Sequence, residues 1–263
     1  MPHPPLKISV ATVTYNAATL IERTIASVEE QDYAVVEHII IDGNSTDNTL
    51  QAVHHYQERN SHAVKPREIT CLSEPDKGLY DAMNKAIDLA TGHFIVFLNA
   101  GDKFHDASTL SRIADVAAGS TDALPGVIYG NTDIVDSQGH FLSKRRLAPP
   151  EHLSWRSFRR GMVVCHQAFF ANAELARANH YNLRYRFSSD FDWCIRIMRA
   201  AQRQRLPLLN AHIVVADYLS EGLTTQNHRK SLFERFAIMC RHYGLILTLL
   251  MHAFFCFRAV WKK

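Results

Sequence analysis

The sequence predicts an α/β protein, with a mostly parallel central sheet flanked by helices and a C-terminal helical tail. Three observations carry that prediction. Short, apolar, β-branched runs alternate with stretches of helical periodicity. Polar and acidic residues gather just after those runs, where open α/β sheets leave a crevice for ligands. From Arg229 onward the chain becomes basic and then almost continuously apolar.

Residues 8–14 read as a first strand, ending at Tyr15-Asn16 and followed by a helical stripe of Leu20, Ile21, Ile25 and Val28. Residues 36–41 form a second strand that runs into Asp42-Gly43-Asn44-Ser45-Thr46-Asp47. Ser45 or Thr46 can cap a helix beginning near Asp47, with Leu50 and Val53 turned to the sheet. A third strand spans 69–73, and a helix over 80–90 leads past Gly92 into residues 93–98, apolar enough for a strand buried on both faces. Strands alternating with helices imply right-handed crossovers and a parallel sheet. Beyond residue 126 come a strand at 127–131, a hairpin turn at 136–140 and a helix starting near Asp190. A last strand spans 212–218. Lys144-Arg145-Arg146 suits a solvated edge strand, contact with phosphate being the rival reading.

A chain of 263 residues, 47% hydrophobic and 21% charged, is globular and long enough to bury one large core. Its five cysteines are scattered without C-x-x-C spacing, which predicts reduced thiols in a cytosolic setting and neither a disulfide framework nor a zinc site. The first seven residues lack a charged segment followed by an apolar one, so no secretion signal is expected. The net charge of +3 is concentrated in the tail, where seven basic residues face Glu234 alone. That asymmetry argues against a nucleic-acid partner.

The predicted boundary therefore separates residues 1–228 from a tail, 229–263. Within the tail, residues 232–243 are amphipathic and 245–257 are apolar nearly all round. Thirteen helical residues reach about 20 Å, short of the roughly 30 Å hydrocarbon core. An anchor lying in the plane of an anionic membrane surface is expected, with docking on the core or on a second copy as the alternatives.

The chemistry concentrates at the strand ends. Thr12, Thr14, Tyr15 and Asn16 end the first strand, Asp42 the second, and Glu74 and Asp76 the third. Asp102 follows the fourth, in Asn99-Ala100-Gly101-Asp102. Acids ending successive strands would lie side by side and repel, which a ribose or base hydroxyl on Asp42 and a divalent cation on Asp102 would relieve. No G-x-G-x-x-G or G-x-x-x-x-G-K-[ST] is present, which argues against dehydrogenases and P-loop NTPases. His166 and Gln167 form a polar pair inside the apolar run 161–170, and a satisfied core histidine is the plain alternative there. Asp190 and Asp192 open a helix, where a capping role competes with a chemical one.

Four segments resemble the family 2 glycosyltransferases with the GT-A fold: Thr14-Tyr15-Asn16, the stretch 40–47, the block 73–85, and Phe97-Leu98-Asn99-Ala100-Gly101-Asp102 at the position of the family's DXD motif. The likeness runs over most of residues 8–222 and is nearest to the branch that builds bacterial exopolysaccharides such as colanic acid. It implies Thr12, Tyr15 and Asp42 near base and ribose, and Asp76 and Lys77 near the nucleotide. It also implies Asp102 on a Mg²⁺ or Mn²⁺ that bridges the donor diphosphate. Asn99 and Gly101 stand where relatives often carry acids, which puts metal affinity in question. The resemblance further implies His166 and Gln167 at the site floor, near donor sugar or acceptor, and Asp190 as general base with Asp192 the fallback. A loop over 220–230 would close on the donor, with His228 or Arg229 reaching the diphosphate.

The expected activity is thus an inverting, metal-dependent transfer of a sugar from a nucleoside diphosphate, UDP in preference to GDP, to a lipid-linked saccharide in surface polysaccharide synthesis. The expected location is the cytoplasmic side of the membrane, as a peripheral protein. A nucleotidyltransferase would need a basic glycine-rich loop after the first strand, which Asn16-Ala17-Ala18-Thr19 does not offer. A non-catalytic sugar-nucleotide-binding scaffold is the other rival, opposed by the presence of Asp190.

Overall fold

β-branched density makes strands of β1 (Ile8–Thr14) and β2 (Val36–Asp42), and all seven residues of each are buried, as a strand covered on both faces requires. The computed structural model describes residues 6–120, 123–220 and 227–261. Between β1 and β2 lies α1 (Ile21–Glu29), which turns Ile21, Ile25 and Val28 inward as its periodicity predicts. Next come α2 (Thr49–Ser61), β3 (Glu68–Ser73), α3 (Leu79–Leu89) and β4 (Phe94–Phe97). The expected Ser45 or Thr46 cap of α2 is not formed. The helix begins later because Asp47 Oδ1 accepts from the Thr49 N–H at 3.0 Å, while Ser45 is engaged by Asp42.

The second half adds β5 (Lys103–Phe104), α4 (Thr109–Ala118), β6 (Val127–Val135) and β7 (Phe141–Lys144), the last exposed throughout, as suits an edge. Two 3-10 turns follow, Trp155–Arg160 and His166–Ala168, leading into β8 (Phe169–Asn172) and α5 (Ala173–Arg177). The chain continues through α6 (Ser189–Arg203) and β9 (Leu208–Leu219) to α7 (His228–Tyr243) and α8 (Leu245–Trp261).

The strands form one sheet in the order β3-β2-β1-β4-β8-β6-β9-β5, with β7 paired to β6. It is parallel through β3-β2-β1-β4 and mixed beyond, because β8 runs antiparallel to both β4 and β6. This order corrects the expectation that the acids of strands two, three and four lie side by side. The crossover after β3 returns past β1, so β1 separates Asp42 from Asp102. The strand order reverses between β1 and β4, and at such a switch point a parallel sheet opens a crevice beyond its carboxyl ends.

Alternation divides the core. Val13, Phe97, Tyr129 and Trp193 belong to the larger cluster, and Val10, Val96, Ile128 and Leu110 to a second one. The tail contributes to the larger cluster through Ile238 and Met239 of α7. Glu234 fastens α7 by accepting from the backbone N–H groups of Arg186, Phe187 and Ser188 at 2.8–2.9 Å. At Gly244, φ is +85°, a conformation glycine adopts without steric penalty, and the chain turns there into α8. Met251 of α8 packs on the core, whereas Leu245, Ile246, Leu249 and Leu250 are exposed. No helix among the described residues is long and apolar enough to cross a membrane.

Candidate active site

The loops after β1 and β2 are stitched together. The Asn16 N–H donates to Ser45 Oγ at 2.8 Å, the Thr46 N–H to Asn16 Oδ1 at 2.8 Å, and the Ala17 N–H to Thr49 Oγ1 at 2.8 Å. Asn16 and Asn44 take left-handed φ of +47° and +64°, which asparagine tolerates better than most residues. Beneath this weave Asp42 is fully buried; its Oδ2 accepts from the Ser45 N–H at 2.9 Å and from Ser73 Oγ at 2.7 Å. Asp42 therefore acts first as the anchor of the loop.

Above it, Tyr15 is 64% exposed. A Cβ at Gly43 would stand 2.7 Å from Asp76 Oδ2 and 3.4 Å from the Tyr15 ring, so these three make a cradle that only glycine permits at position 43. Asp76 Oδ1 also accepts from the Gly78 N–H at 2.7 Å. Lys77 is exposed beside it, its N–H donating to Asp81 Oδ2 at 2.9 Å. Thr12 departs from its expected place near the nucleotide. It points into the layer under α2, where its hydroxyl meets His38 Nε2 at 2.9 Å, and His38 in turn meets the Tyr56 hydroxyl at 3.2 Å. Burial, with some help from Arg67, lowers the His38 pKa to about 3, so this chain of groups is neutral.

A second group gathers at the end of β4. Asp102 is buried; its Oδ2 accepts from Gln167 Nε2 at 2.8 Å and its Oδ1 from the Leu219 N–H at 3.0 Å. Burial pushes its carboxyl above the usual range despite those bonds and the more distant charges of His166 and Arg23. No described cation lies within 4 Å of it, so its charge is desolvated without a counter-ion. Gly101, at φ +100°, packs against Leu219 and Leu20 and makes the turn that carries Asp102.

Beside it, His166 bridges two elements. Its Nε2 is 3.3 Å from Asn99 Nδ2, and its Nδ1 is 3.4 Å from Asp190 Oδ2. Asp190 Oδ1 accepts from the Tyr80 hydroxyl at 3.1 Å and from the Phe191 N–H at 2.9 Å. Burial alone would raise the Asp190 pKa. The contact with His166, the charge of Arg235 and the Phe191 N–H together bring it below the usual value, which favours the ionised carboxylate. Two buried oxygens at these strand ends, Thr14 Oγ1 and Asn99 Oδ1, have no hydrogen-bond partner among the described residues, which leaves both able to accept from a ligand.

Asp192 is not part of this group. Two helical residues are separated by about 200°, so Asp190 and Asp192 cannot face the same crevice. Asp192 instead binds Arg196 Nε and His242 Nε2, each at 2.7 Å, and clamps α6 to α7. Residues 221–226 and the His228 side chain lie outside the described residues, and Arg229 is exposed on the first turn of α7.

The sequence reading missed Tyr80 and Asn99 as partners of Asp190 and His166. Both lie in motifs singled out above, yet their contacts join residues 110 and 67 positions apart, which local pattern does not encode.

The donor set fits a hard cation in part. Asp102 has unused lone pairs and a desolvated charge that a cation would relieve, so the remaining ligands would have to come from diphosphate and water. Among the described residues, His105, Asp133 and Asp217 also bring three ligand atoms within 4.8 Å of one another. There, however, Asp217 is already neutralised by Lys103 at 3.1 Å and contacted by His105 at 2.7 Å.

Comparison with known proteins agrees with this architecture. The sequence pattern of glycosyl transferase family 2 matches residues 9–176. A PGL/p-HBAD biosynthesis glycosyltransferase of Mycobacterium bovis is 31% identical over 215 residues, covering 81% of this chain and 77% of the relative. The structure of S. aureus TarS 1–349 superposes with a TM-score of 0.67 at 16% identity, covering 94% of this chain and 72% of that one. The mannosyltransferase PcManGT from Pyrobaculum calidifontis, in complex with GDP-Man and Mn²⁺, gives 0.64 at 20% identity, covering 95% and 71%. A catalytic domain built on the GT-A fold, with its acids at the β1/β4 switch point, accounts for these likenesses, and the chain belongs to glycosyl transferase family 2.

Proposed function

We propose that the protein transfers a sugar, with inversion, from a nucleoside diphosphate donor to a hydroxyl of a lipid-linked saccharide in bacterial surface polysaccharide synthesis. Asp190 carries this reading: a buried, ionised carboxylate held at the switch-point crevice from two sides. It takes the proton of the acceptor hydroxyl as that oxygen bonds to the anomeric carbon. The bond from that carbon to the diphosphate breaks, its electron pair leaves with the diphosphate, and a nucleoside diphosphate is released. Tyr15, Gly43 and Asp76 form the cradle for base and ribose, with Asp42 fixing the loop beneath. Asp102 would hold Mg²⁺ or Mn²⁺, whose bound charge stabilises the departing diphosphate. Gln167, bonded to Asp102, fixes the direction of that carboxylate.

Support for the donor class comes from solved relatives of the same fold, TarS with UDP-GlcNAc and PcManGT with GDP-Man and Mn²⁺. Support for residence on the cytoplasmic membrane face comes from the tail, where exposed Leu245, Ile246, Leu249 and Leu250 follow exposed Arg241 in a stretch whose sequence is basic. A second copy meeting this surface is the alternative, distinguished by whether the protein binds vesicles or dimerises.

Calorimetric titration with a panel of UDP-, GDP- and dTDP-sugars, in Mn²⁺ and in chelator, tests the reading. Metal-dependent binding of one donor is the expected result, with release of its nucleoside diphosphate abolished in Asp190→Asn. Release at the wild-type rate in that variant would remove Asp190 as the base.

A further inference from the structure

The buried polar chain behind Asp190 has no counterpart in the transfer chemistry itself. Asn99 Nδ2 can only donate, so the His166 Nε2 it faces at 3.3 Å accepts. The partners thereby assign the neutral imidazole's proton to Nδ1, the nitrogen 3.4 Å from Asp190 Oδ2. Both His166 and Asp190 are buried. The Tyr80 hydroxyl holds the other carboxylate oxygen.

We infer that His166 is a positioning residue for the base: Asn99 fixes its tautomer, and its Nδ1–H, with the Tyr80 hydroxyl, turns the Asp190 carboxylate toward the acceptor. The inference rests on Asp190 being the base, and it gives His166 a role beside the expected one near donor sugar or acceptor. It explains why an amide, where relatives often carry an acid, is compatible with the site. An acid at position 99 only accepts, which would put the proton of the neutral ring on Nε2 and leave Nδ1 with no N–H for Asp190.

Few other charges complicate a titration of Asp190. Tyr80 from α3, Tyr181 before α6, Tyr218 from β9, Cys165 beside His166 and Cys194 within α6 are all pushed upward, chiefly by burial, and stay neutral in mild acid. That leaves His166 and Arg235 from α7, which act on Asp190 itself, and Glu234 from α7, which acts on Tyr80.

The test is a carbon-13 titration of the full-length protein labelled at aspartate Cγ, with the Asp190 resonance identified by its loss in Asp190→Asn. His166→Phe should move the Asp190 midpoint up by about one pH unit, since the N–H that the neutral imidazole turns toward the carboxylate is removed. The acid limb of nucleoside diphosphate release, measured with water as acceptor on the donor chosen by calorimetry, should move by the same amount. His166→Asn keeps an N–H near the Nδ1 position and should recover part of the shift; it also serves if the phenylalanine variant does not fold. A midpoint and acid limb unchanged in the His166 variants, with Asp190→Asn inactive, overturn the inference and leave the base assignment standing. Full release by Asp190→Asn removes the base assignment, and the inference with it.

Discussion

The two ends of the central sheet treat buried carboxylates in opposite ways. At the amino end, Glu37 of β2 is only 3% exposed and is surrounded by donors. The Thr91 N–H lies at 2.6 Å, Thr91 Oγ1 at 2.6 Å and the Gly92 N–H at 2.9 Å; Ser9 Oγ also donates, and Lys7 Nζ pairs with it at 2.9 Å. At the carboxyl end, Asp102 has two donors and, among the described residues, no cation within 4 Å, and Thr14 and Asn99 present oxygens with no described partner. The first arrangement is complete and serves stability. The second is incomplete in a manner that a donor diphosphate and a cation would finish, at some expense to the stability of the free protein.

The contrast is broken most severely at the base. Asp190→Asn should lower sugar transfer by about 10²–10⁴-fold while donor affinity stays within about twofold of wild type. Release of nucleoside diphosphate, set beside calorimetric donor binding, separates the two quantities. Equal loss of both would assign Asp190 to donor binding instead.

Glu37→Gln should do the reverse, leaving transfer per folded molecule unchanged and destabilising the fold. Weakening the acceptor of several buried donors costs about 1–3 kcal/mol, which in a chain of this size lowers Tm by on the order of 5 °C. The pH dependence follows from the same network. Burial would raise the Glu37 pKa, but the bonds from Ser9, Thr91 and Lys7 bring it down to about 2. A depressed carboxylate stabilises the fold above its unfolded value, and that contribution disappears as pH falls through the folded value. Wild-type protein should therefore lose stability between roughly pH 4.5 and pH 2, and the Glu37→Gln variant should lose less of it over that interval. Asp102 has the opposite sign: burial raises its pKa, so its penalty is present above that pKa and relieved below it.

A cation relieves the same penalty at neutral pH. Mn²⁺ at about 100 times its Kd should stabilise the wild-type fold by about 2.7 kcal/mol, and Asp102→Ala should show none of that gain. Thermal denaturation with and without chelator measures it. Retention of the Mn²⁺ shift in Asp102→Ala would turn attention to His105, Asp133 and Asp217, the three residues whose ligand atoms also converge.

The amino-terminal half was legible because its signals are local. Short β-branched runs, one-sided helical stripes and acids within a few residues of a strand end are enough to place β1, β2, β3 and α3, and to mark Asp42, Asp76 and Asp102. What local pattern lacks is which strand lies beside which, so the acids were expected in a row that the β1–β4 pairing does not allow. On the α6 side, Asp190 could be singled out but its surroundings could not be arranged. Asp190 stands out at a helix start, but its separation from Asp192 needed the helical rotation. Its hold by Tyr80 and His166 joins three segments brought together only by the packing of α3, the turn before β8 and α6. Thr12 looked like a crevice residue because it lies near a strand end. It is buried because strand alternation turns it toward His38 and α2.

The mildest effects belong to the tail, where the same contrast between completed and open surfaces recurs within 30 residues. The inner side of α7 is finished: Glu234 receives three backbone N–H groups, and His242 meets Asp192 at 2.7 Å. The outer side of α8 leaves Ile246 77% and Leu250 63% exposed. Replacing both by serine removes little buried area, so Tm and nucleoside diphosphate release from soluble donor should hardly change. Partition onto vesicles containing anionic phospholipid should fall about tenfold or more, since each residue loses its apolar transfer into the interface. Binding of the wild type should weaken with added salt as the basic residues of the tail are screened. A double-serine variant that binds vesicles like wild type but shifts from dimer to monomer in light scattering would assign the surface to a second copy of the chain.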